Sequence, residues 1–239
     1  MIETLADFID EFTRIKNTGW IRTHRSGPTG IGKTLEDLLG IEENNFDEPD
    51  FGEYELKSCR INSQSMLTMF TKAPQPARAN TYLRLKYGYS SSAYDNDEKV
   101  LHTTLTAARF VPIYNTGREL TIACEPDRIS IASKEGIENI YWDREVLRRA
   151  FEKKYRNKFV YVKAESRGFG ANEEFRFIEA YEVSGFDYDA IISLLEQGKI
   201  FVDLRIGQYP DGRTHDHGTA FRIRETDQPL LFKICRRIV

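Results

Sequence analysis

Three residues in the first quarter of the chain have the types and spacing of a metal-dependent hydrolytic site. Asp50, Glu55 and Lys57 stand in the order D-x4-E-x-K within PDFGEYELK. Two carboxylates held close together repel each other unless a cation lies between them. Mg²⁺ takes oxygen ligands and retains waters that a phosphate can replace. Since a neighbouring lysine could position or deprotonate a metal-bound water, the pattern predicts metal-assisted phosphodiester hydrolysis.

Asp50 and Glu55 lie in an acidic segment, 34–56, that contains no basic residue and directly precedes Lys57. Such a run is also typical of a solvated protein face. The period-two pattern of FGEYELKSC favours a strand, in which Glu55 and Lys57 would leave the same face. Asp50 comes just before that strand, where a bend could bring its carboxylate beside Glu55. The D-x4-E-x-K spacing alone often arises by chance, so the surrounding sequence has to support it.

A second motif, GPTGIGKT at 27–34, fits the G-x-x-x-x-G-K-[ST] pattern of phosphate-binding loops. Such a loop follows a buried parallel strand that is almost continuously apolar. The preceding WIRTHRS instead carries Arg22, His24 and Arg25, whose charges would be costly to bury. A second metal-binding carboxylate is matched only by Asp203, at the end of IFVD. We therefore interpret the motif as a turn that starts a helix, and we expect no nucleotide cofactor.

The elements that must position these residues form a mixed α/β pattern rather than a regular series of strand–helix units. Apolar residues at spacings of three and four predict helices over 2–16, 29–39, 143–158 and 187–198. Gly19, Gly40 and Gly198 are placed to end three of them. Period-two patterns predict strands at FGEYELKSC, SMLTMFTK, TYLRLKYGY, RFVPIY, ELTIAC, RISIAS, FVYVKAES, EFRFIEAYEV and IFVDLRIG. SSSAYDNDEK is predicted to be a polar loop, and the last thirty or so residues give no clear pattern.

The composition is that of an ordinary soluble protein, with 40 % hydrophobic and 30 % charged residues and a net charge of −3. Because small nucleic-acid-binding domains are often strongly basic, any DNA contact must depend on local clusters. Cys59, Cys124 and Cys235 have no CxxC spacing, which argues against a disulfide framework or a cysteine zinc site. Neither a membrane-spanning stretch nor a signal pattern is visible, so we expect a cytoplasmic protein without a membrane partner.

Several longer blocks carry a family resemblance. They are GWIRTHRSGPTGIGKTLEDLLGIEENN, PDFGEYELKS, SMLTMFTKAP, ANTYLRLKYG, KIFVDLRIG and RTHDHGTAFRI. With these blocks the chain resembles the MvaI/BcnI-type restriction endonucleases, members of the PD-(D/E)xK nuclease superfamily and relatives of the mismatch-repair nickase MutH. The resemblance covers most of the chain, and a segment from about 88 to 155 is not comparable.

The resemblance implies a PD-(D/E)xK core, in which a mixed β-sheet is flanked by helices, and a DNA-recognition lobe that forms a cleft with it. It implies that Asp50, Glu55 and Lys57 are the catalytic residues, with Glu36 as an accessory acid. The carbonyl of Leu56 would contact the metal beside the two carboxylates. We place the catalytic lobe at 1–110 and the recognition lobe mainly at 111–239.

Candidate DNA-reading residues lie in FVDLRIGQYPDGRTHDHGTAFRIR. Asp203 and Arg205 share one strand face; arginine can clamp guanine, and a carboxylate can accept from cytosine N4. Such a pair is also common as a structural salt bridge. His215 and His217 have the H-x-H spacing of a zinc site, but no third ligand stands out. The resemblance implies instead that this segment reaches base edges, with Arg222 as a further reader.

Two basic segments remain open to interpretation. The predicted helix 143–158 is rich in Lys and Arg, which suits either a DNA contact or a solvated helix face. RGFG around Arg167 is typical either of a mobile contact loop or of an ordinary turn.

The leading hypothesis is a Mg²⁺-dependent, monomeric type II restriction endonuclease that cuts double-stranded DNA at a short C/G-rich pseudo-palindrome. Thr71 in FTKAP and the block HDHG agree with the MvaI branch of the family, which favours a site like CCWGG. One alternative is a MutH-like nickase that acts in repair. Another is a DNA-binding module without catalytic activity.

Overall fold

The computed structural model describes residues 2–42, 49–61, 66–90 and 99–239. The α-helices are α1 Leu5–Thr18, α2 Gly30–Leu39, α3 Ala79–Tyr87, α4 Arg144–Lys154 and α5 Tyr188–Glu196. The strands are β1 Ile21–Arg22, β2 Tyr54–Arg60, β3 Leu67–Thr71, β4 Tyr89–Ser90, β5 Lys99–Leu105, β6 Val111–Pro112, β7 Glu119–Cys124, β8 Arg128–Ser133, β9 Gly136–Asp143, β10 Lys158–Arg167, β11 Glu174–Phe186, β12 Ile200–Gln208, β13 Thr214–Asp216, β14 Ala220–Ile223 and β15 Phe232–Arg237. Short 3₁₀ helices cover Gly170–Asn172 and Glu225–Leu231.

The chain divides into two compact units, and each is built from separate segments. Unit 1 consists of Met1–Gln64, Lys154–Phe186 and Phe232–Val239, and unit 2 consists of Ser65–Lys153 and Asp187–Leu231. Each unit combines distant segments because strands far apart in the chain share a sheet, which chain order does not reveal. The catalytic lobe at 1–110 and the recognition lobe mainly at 111–239 stay a prediction.

Unit 1 is built on a sheet with the strand order β1-β11-β10-β2, with β15 also paired to β11. The strands β2 and β10 run parallel, with Phe159 opposite Glu55, while β11 is antiparallel to its neighbours. Helices α1 and α2 contribute Phe8, Phe12 and Leu35 to a core shared with the sheet. The sheet is therefore mixed and is covered by helices where its apolar side chains lie.

Local sequence explains where the two helices of unit 1 begin and end. Thr4 caps α1 by a reciprocal pair of hydrogen bonds with Asp7, which satisfies amides that the first turn leaves free. Gly19 at φ 83° ends α1, and Gly40 at φ 70° ends α2. The helices predicted over 2–16 and 29–39 are confirmed.

Unit 2 contains a sheet with the order β3-β14-β12-β5-β4, with β13 paired to β12, and an antiparallel sheet β6-β7-β8-β9. Trp142 and Phe221 are fully buried and contact each other edge to face. Asp187 caps α5, and Gly198 follows that helix at φ 69°, as predicted. In the described part of the chain, no helix is long and apolar enough to cross a membrane.

The predicted strand TYLRLKYGY is wrong, because most of it belongs to α3. Ala79, Leu83 and Tyr87 are buried and lie four residues apart, which is a helical spacing. The alternation that suggested a strand fails at Leu85, which is exposed, and at Arg84, which is buried. Arg84 is tolerated inside because it donates hydrogen bonds to side chains of β12 and β13 and to a backbone carbonyl of β5. SSSAYDNDEK lies mostly outside the described residues.

Candidate functional site

The side chains of Asp50, Glu55 and Lys57 come together on unit 1. Lys57 Nζ donates to Glu55 Oε1 at 2.5 Å, as expected for residues on the same strand face. Asp50 precedes β2, and its Oδ2 accepts a hydrogen bond of 2.6 Å from the backbone N–H of Leu56. That bond fixes the Asp50 carboxylate against the strand that carries the other two residues.

The electrostatics of this cluster suit a cation. Burial raises the pKa of the Asp50 carboxyl above its usual range, the Leu56 hydrogen bond opposes the rise, and the charge of Glu55 adds to it. The ionised form of Asp50 is therefore less favourable here than in water, and a bound cation would stabilise it. The carboxylates of Asp50 and Glu55 are oxygen donors of the kind that Mg²⁺ accepts while it keeps several waters, and the Leu56 carbonyl stays a predicted third donor. Among the described residues, no group of three or more His, Cys, Asp and Glu side chains offers a richer metal site.

A polar sheet face on unit 2 is organised by one buried carboxylate. Asp203 is 1 % exposed and forms ion pairs with Arg205 at 3.0 Å and with Arg222 at 3.2 Å. The Thr104 hydroxyl donates to the same carboxylate at 2.7 Å. Both arginine side chains remain partly exposed, at 43 % and 32 %, although Arg222 Nε is buried. Asp203 therefore holds two arginines side by side and has little surface left for a ligand.

The two histidines of HDHG lie on the chain segment that pairs with β12, where the backbone N–H of His217 donates to the Arg205 carbonyl at 2.9 Å. The rings of His215 and His217 are 3.9 Å apart, and Tyr209 stacks on His215 at 4.3 Å. A Cβ at Gly207 would lie 3.4 Å from His217 Nε2, an ordinary van der Waals distance, so the imidazole lies close over this position of β12. His102 pairs with Arg205 across the sheet, and burial together with the positive charges around it lowers its pKa.

The loop that carries the histidines is held by Asp216. Its carboxylate accepts from the Gly218 backbone N–H at 2.9 Å and from Asn80 Nδ2 at 2.6 Å. Asn80 lies on α3, so the helix that the sequence pattern missed supports this loop.

Comparison with known proteins assigns the chain to a protein family. A sequence profile described as the MvaI/BcnI restriction endonuclease family matches residues 9–232. The chain belongs to the MvaI/BcnI restriction endonuclease family. As a member of it, the protein is a restriction enzyme, that is, a site-specific deoxyribonuclease. The family resemblance read from the sequence is confirmed.

Solved structures of MvaI agree with this assignment. The chain is similar to restriction endonuclease MvaI in a complex with its cognate DNA substrate, with 33 % identity, a TM-score of 0.76 and coverage of 100 % of both chains. It is also similar to MvaI in the absence of DNA, with 32 % identity, a TM-score of 0.66 and coverage of 100 % of this chain and 99 % of the other. Comparison with curated protein sequences gave no match.

Sequence reasoning about this MvaI/BcnI family member missed Lys154, which ends α4. The parallel pairing of β10 with β2 places the start of β10 beside Tyr54, and Lys154 comes four residues earlier. Its ammonium interacts electrostatically with Lys57 and Glu55. The residue stays accessible to solvent, yet surrounding protein atoms and the Lys57 charge lower its pKa. The Lys/Arg-rich segment 143–158 contained the signal, but only the non-local strand pairing separates Lys154 from its neighbours.

Glu36, the predicted accessory acid, lies on the helix α2. Its carboxylate and the Ser58 hydroxyl both approach Gly32. Strand alternation puts Ser58 and the pair Glu55 and Lys57 on opposite faces of β2. An accessory role for Glu36 stays a prediction.

The GPTGIGKT segment forms a turn followed by a helix. The backbone N–H of Gly30 donates to the Gly27 carbonyl at 3.0 Å, and α2 begins there. The preceding strand β1 has two residues and is antiparallel to β11. That setting differs from the buried parallel strand of a phosphate-binding loop. Lys33 forms an ion pair with Asp37 at 2.7 Å.

Proposed function

We propose that this restriction enzyme is a Mg²⁺-dependent type II endonuclease that acts as a monomer on double-stranded DNA. It would cut within a short C/G-rich pseudo-palindromic site, and we favour a sequence like CCWGG. The observation that carries the proposal is the contact set of Asp50, Glu55 and Lys57 on β2. Unit 1 would then be the PD-(D/E)xK catalytic core, and unit 2 the recognition lobe.

The residues of unit 1 would divide the work of phosphodiester hydrolysis. Asp50, Glu55 and the Leu56 carbonyl would hold Mg²⁺, whose charge lowers the pKa of a bound water and stabilises the negative charge that builds up on the phosphate. Lys57, anchored to Glu55, would orient the attacking water and accept or share its proton. Lys154 would bind a non-bridging phosphate oxygen, because its ammonium interacts electrostatically with Glu55. Glu36 is an accessory acid in this proposal.

The polar face of unit 2 would read the bases. Arg205 and Arg222 each offer a guanidinium fork that matches O6 and N7 of guanine in the major groove, which explains a C/G-rich target. Asp203 would act mainly by fixing both arginines, and it is already engaged by Thr104. His215 and His217 would reach neighbouring base edges. The preference for a CCWGG-like site is supported by the similarity to MvaI over the whole chain.

A pair of lysine variants tests the catalytic assignment. Lys57→Ala should lower the single-turnover cleavage rate by at least about 100-fold, the range typical for losing a proton-transfer group, while specific binding without Mg²⁺ survives. Lys158→Ala is the matched control, because Lys158 is also ion-paired to a glutamate, Glu53, beside β2. It should cleave almost normally.

The substrate for this test is unmethylated plasmid DNA, with Mg²⁺ and then with a chelator. Discrete linear fragments that require Mg²⁺ support the proposal. Intact plasmid across several substrates, or full activity in Lys57→Ala, contradicts it. Nicked circles that never become linear indicate a MutH-like nickase, and a gel shift without cleavage indicates a non-catalytic DNA-binding module.

A further inference from the structure

The turn between β10 and β11 carries an aromatic ring directed into solvent. Phe169 is 91 % exposed, the highest value among the large hydrophobic residues of the described chain. Burial of a phenylalanine side chain is favourable, so a ring left in water marks a place where a partner can add binding energy. Single exposed apolar residues are common on protein surfaces. The residues around Phe169 therefore decide whether its ring is a binding contact for a partner.

The backbone beneath Phe169 is held rigidly. Arg22 donates from Nε to the Ala171 carbonyl at 3.0 Å and from Nη2 to Asn172 Oδ1 at 2.8 Å. Gly168 adopts φ 77°, and a Cβ there would lie 2.4 Å from the Asn172 carbonyl oxygen, so only glycine fits. The hairpin tip, residues 168–172, is therefore a fixed turn that presents the ring outward.

The flanks of the hairpin tip are rich in arginine. Arg167 and Arg176 lie over the ring of Trp20, with guanidinium-to-centroid distances of 4.3 Å and 5.4 Å. Each of these two arginines also has a glutamate partner, Glu174 and Glu165 respectively. Arg22 bonds to uncharged oxygens of the tip, so its positive charge is not neutralised by those contacts. The tip therefore combines an exposed aromatic ring with net positive charge.

We propose that the hairpin tip is a second DNA contact of the enzyme, in which Phe169 enters the minor groove and stacks against a base step outside the recognition sequence. Apolar wedges flanked by arginine are the usual means of entering a minor groove. The occupant follows from the activity, since an endonuclease must hold a duplex against the unit that cuts it. Strand β10 is paired with β2 from Lys158 to Ala164, so the tip and the candidate catalytic strand belong to one sheet.

The length of β10 sets how far the tip lies from the candidate catalytic strand. Phe159 lies opposite Glu55, and eight residues further along β10 is Arg167, next to the tip. At about 3.3 Å per residue this span is about 26 Å. A duplex that lies along β10 would cover about 8 base pairs over this span, more than a five-base-pair site such as CCWGG. Phe169 therefore contributes affinity that does not depend on sequence, and it does not touch the reacting phosphate.

The first test measures binding of Phe169→Ala to specific and non-specific duplexes without Mg²⁺. Stacking of one base on an aromatic side chain changes affinity by about 5- to 150-fold on replacement by alanine. We expect a similar loss for both duplexes and an unchanged single-turnover cleavage rate at saturating enzyme. Ile234→Ala is the matched control, since Ile234 is also in unit 1 and is 51 % exposed. It should bind normally.

The second test locates the contact. Trp20 lies under Arg167 and should change its emission when a duplex covers the tip, whereas Trp142 is buried in unit 2. Trp20→Phe assigns that signal. Duplexes with 2-aminopurine about 8 base pairs from the cut should brighten with the wild type and not with Phe169→Ala.

Two results would overturn the inference. Phe169→Ala could bind both duplexes as tightly as the wild type, with the Trp20 signal unchanged. Alternatively, light scattering could show that Phe169→Ala changes the oligomeric state while DNA binding persists, in which case the ring packs against a second copy of the chain. Failure of the Lys57 test in a protein that still binds flanking DNA through Phe169 would contradict only the proposed catalytic residues.

Discussion

Replacing Asp203 by asparagine removes the charge that holds two arginines and changes the shape of the side chain very little. The carboxylate is 1 % exposed and has three partners, at 2.7 Å for Thr104, 3.0 Å for Arg205 and 3.2 Å for Arg222. An asparagine would turn an N–H₂ group toward at least one guanidinium, which has no acceptor to offer it. Asp203→Asn should therefore destabilise unit 2 and loosen both arginines.

The magnitude follows from the type of each bond. Hydrogen bonds to a charged partner contribute about 1.5–3 kcal/mol each and neutral ones about 0.5–1.5 kcal/mol. Two bonds that lose their charge therefore cost about 2 kcal/mol in total, and we keep this lower figure because both arginines are partly exposed. In a protein of this size the loss lowers Tm by about 4–8 °C. Loosened arginines should also lower the ratio of specific to non-specific affinity by at least about tenfold, since each bidentate contact to guanine contributes about 1–3 kcal/mol.

The matched control is Asp211→Asn. Asp211 and Arg213 are also an aspartate and an arginine two residues apart, with a contact of 2.7 Å, but both are exposed. Such an exposed pair contributes little to stability because water and salt screen it, so Asp211→Asn should leave Tm nearly unchanged. Denaturant unfolding and titration of cognate and scrambled duplexes measure both effects. If Asp203→Asn is no more destabilising than Asp211→Asn and keeps its specificity, the role assigned to Asp203 is wrong.

Further predictions concern unit 1. Lys154→Ala should lower the single-turnover cleavage rate at least about tenfold. It should also reduce the slope of log affinity against log salt concentration by about one phosphate contact. The control variant Lys153→Ala, which changes the neighbouring residue, should keep the wild-type rate. Equal behaviour of the two variants would contradict the phosphate contact. Asp50→Asn should raise the Tm of the metal-free protein at pH 7, because it removes an ionised carboxylate whose pKa the fold raises. Because the pKa of Asp50 is higher in the folded protein than the value near 3.8 in the unfolded chain, the metal-free wild type should lose stability as the pH rises through this interval. Mg²⁺ should stabilise the wild type and not Asp50→Asn in a thermal melt, and the effect on the wild type should fade as acid protonates Asp50; stabilisation of both proteins alike would contradict metal binding there.

Local patterns in the sequence predict much of the fold because they report local physics. The helices α1 and α5 and the strands β7, β8 and β12 were found from periodicity and turn residues, which depend on neighbours a few positions away. The segment of α3 was wrongly predicted to be a strand because Leu83, Leu85 and Tyr87 alternate with polar residues as in a strand. In the helix, the buried Arg84 donates hydrogen bonds to side chains more than a hundred residues away in the chain. No local sequence pattern contains that information.

The same difference between local and non-local contacts applies to the candidate site. Glu55 and Lys57 meet because they are two residues apart in a strand, which the sequence reveals directly. Lys154 joins them through the parallel pairing of β2 with β10, whose partners are about a hundred residues apart in the chain. The double pairing of Asp203 with Arg205 and Arg222 likewise needs β14 to lie next to β12. Sequence alone suggested the residues, but it did not show that one carboxylate serves both arginines.

Unit 1 is built from three segments that lie far apart in the chain, which affects when it can fold during synthesis. The strand with Glu55 and Lys57 leaves the ribosome long before β10, its partner from Lys158 to Ala164, and the sheet is completed only by β15 near the C-terminus. At about 5–20 residues per second, the nascent chain waits roughly 5–20 s between the two strands. The strand with Glu55 and Lys57 therefore gains its parallel partner only after about a hundred further residues have been synthesised.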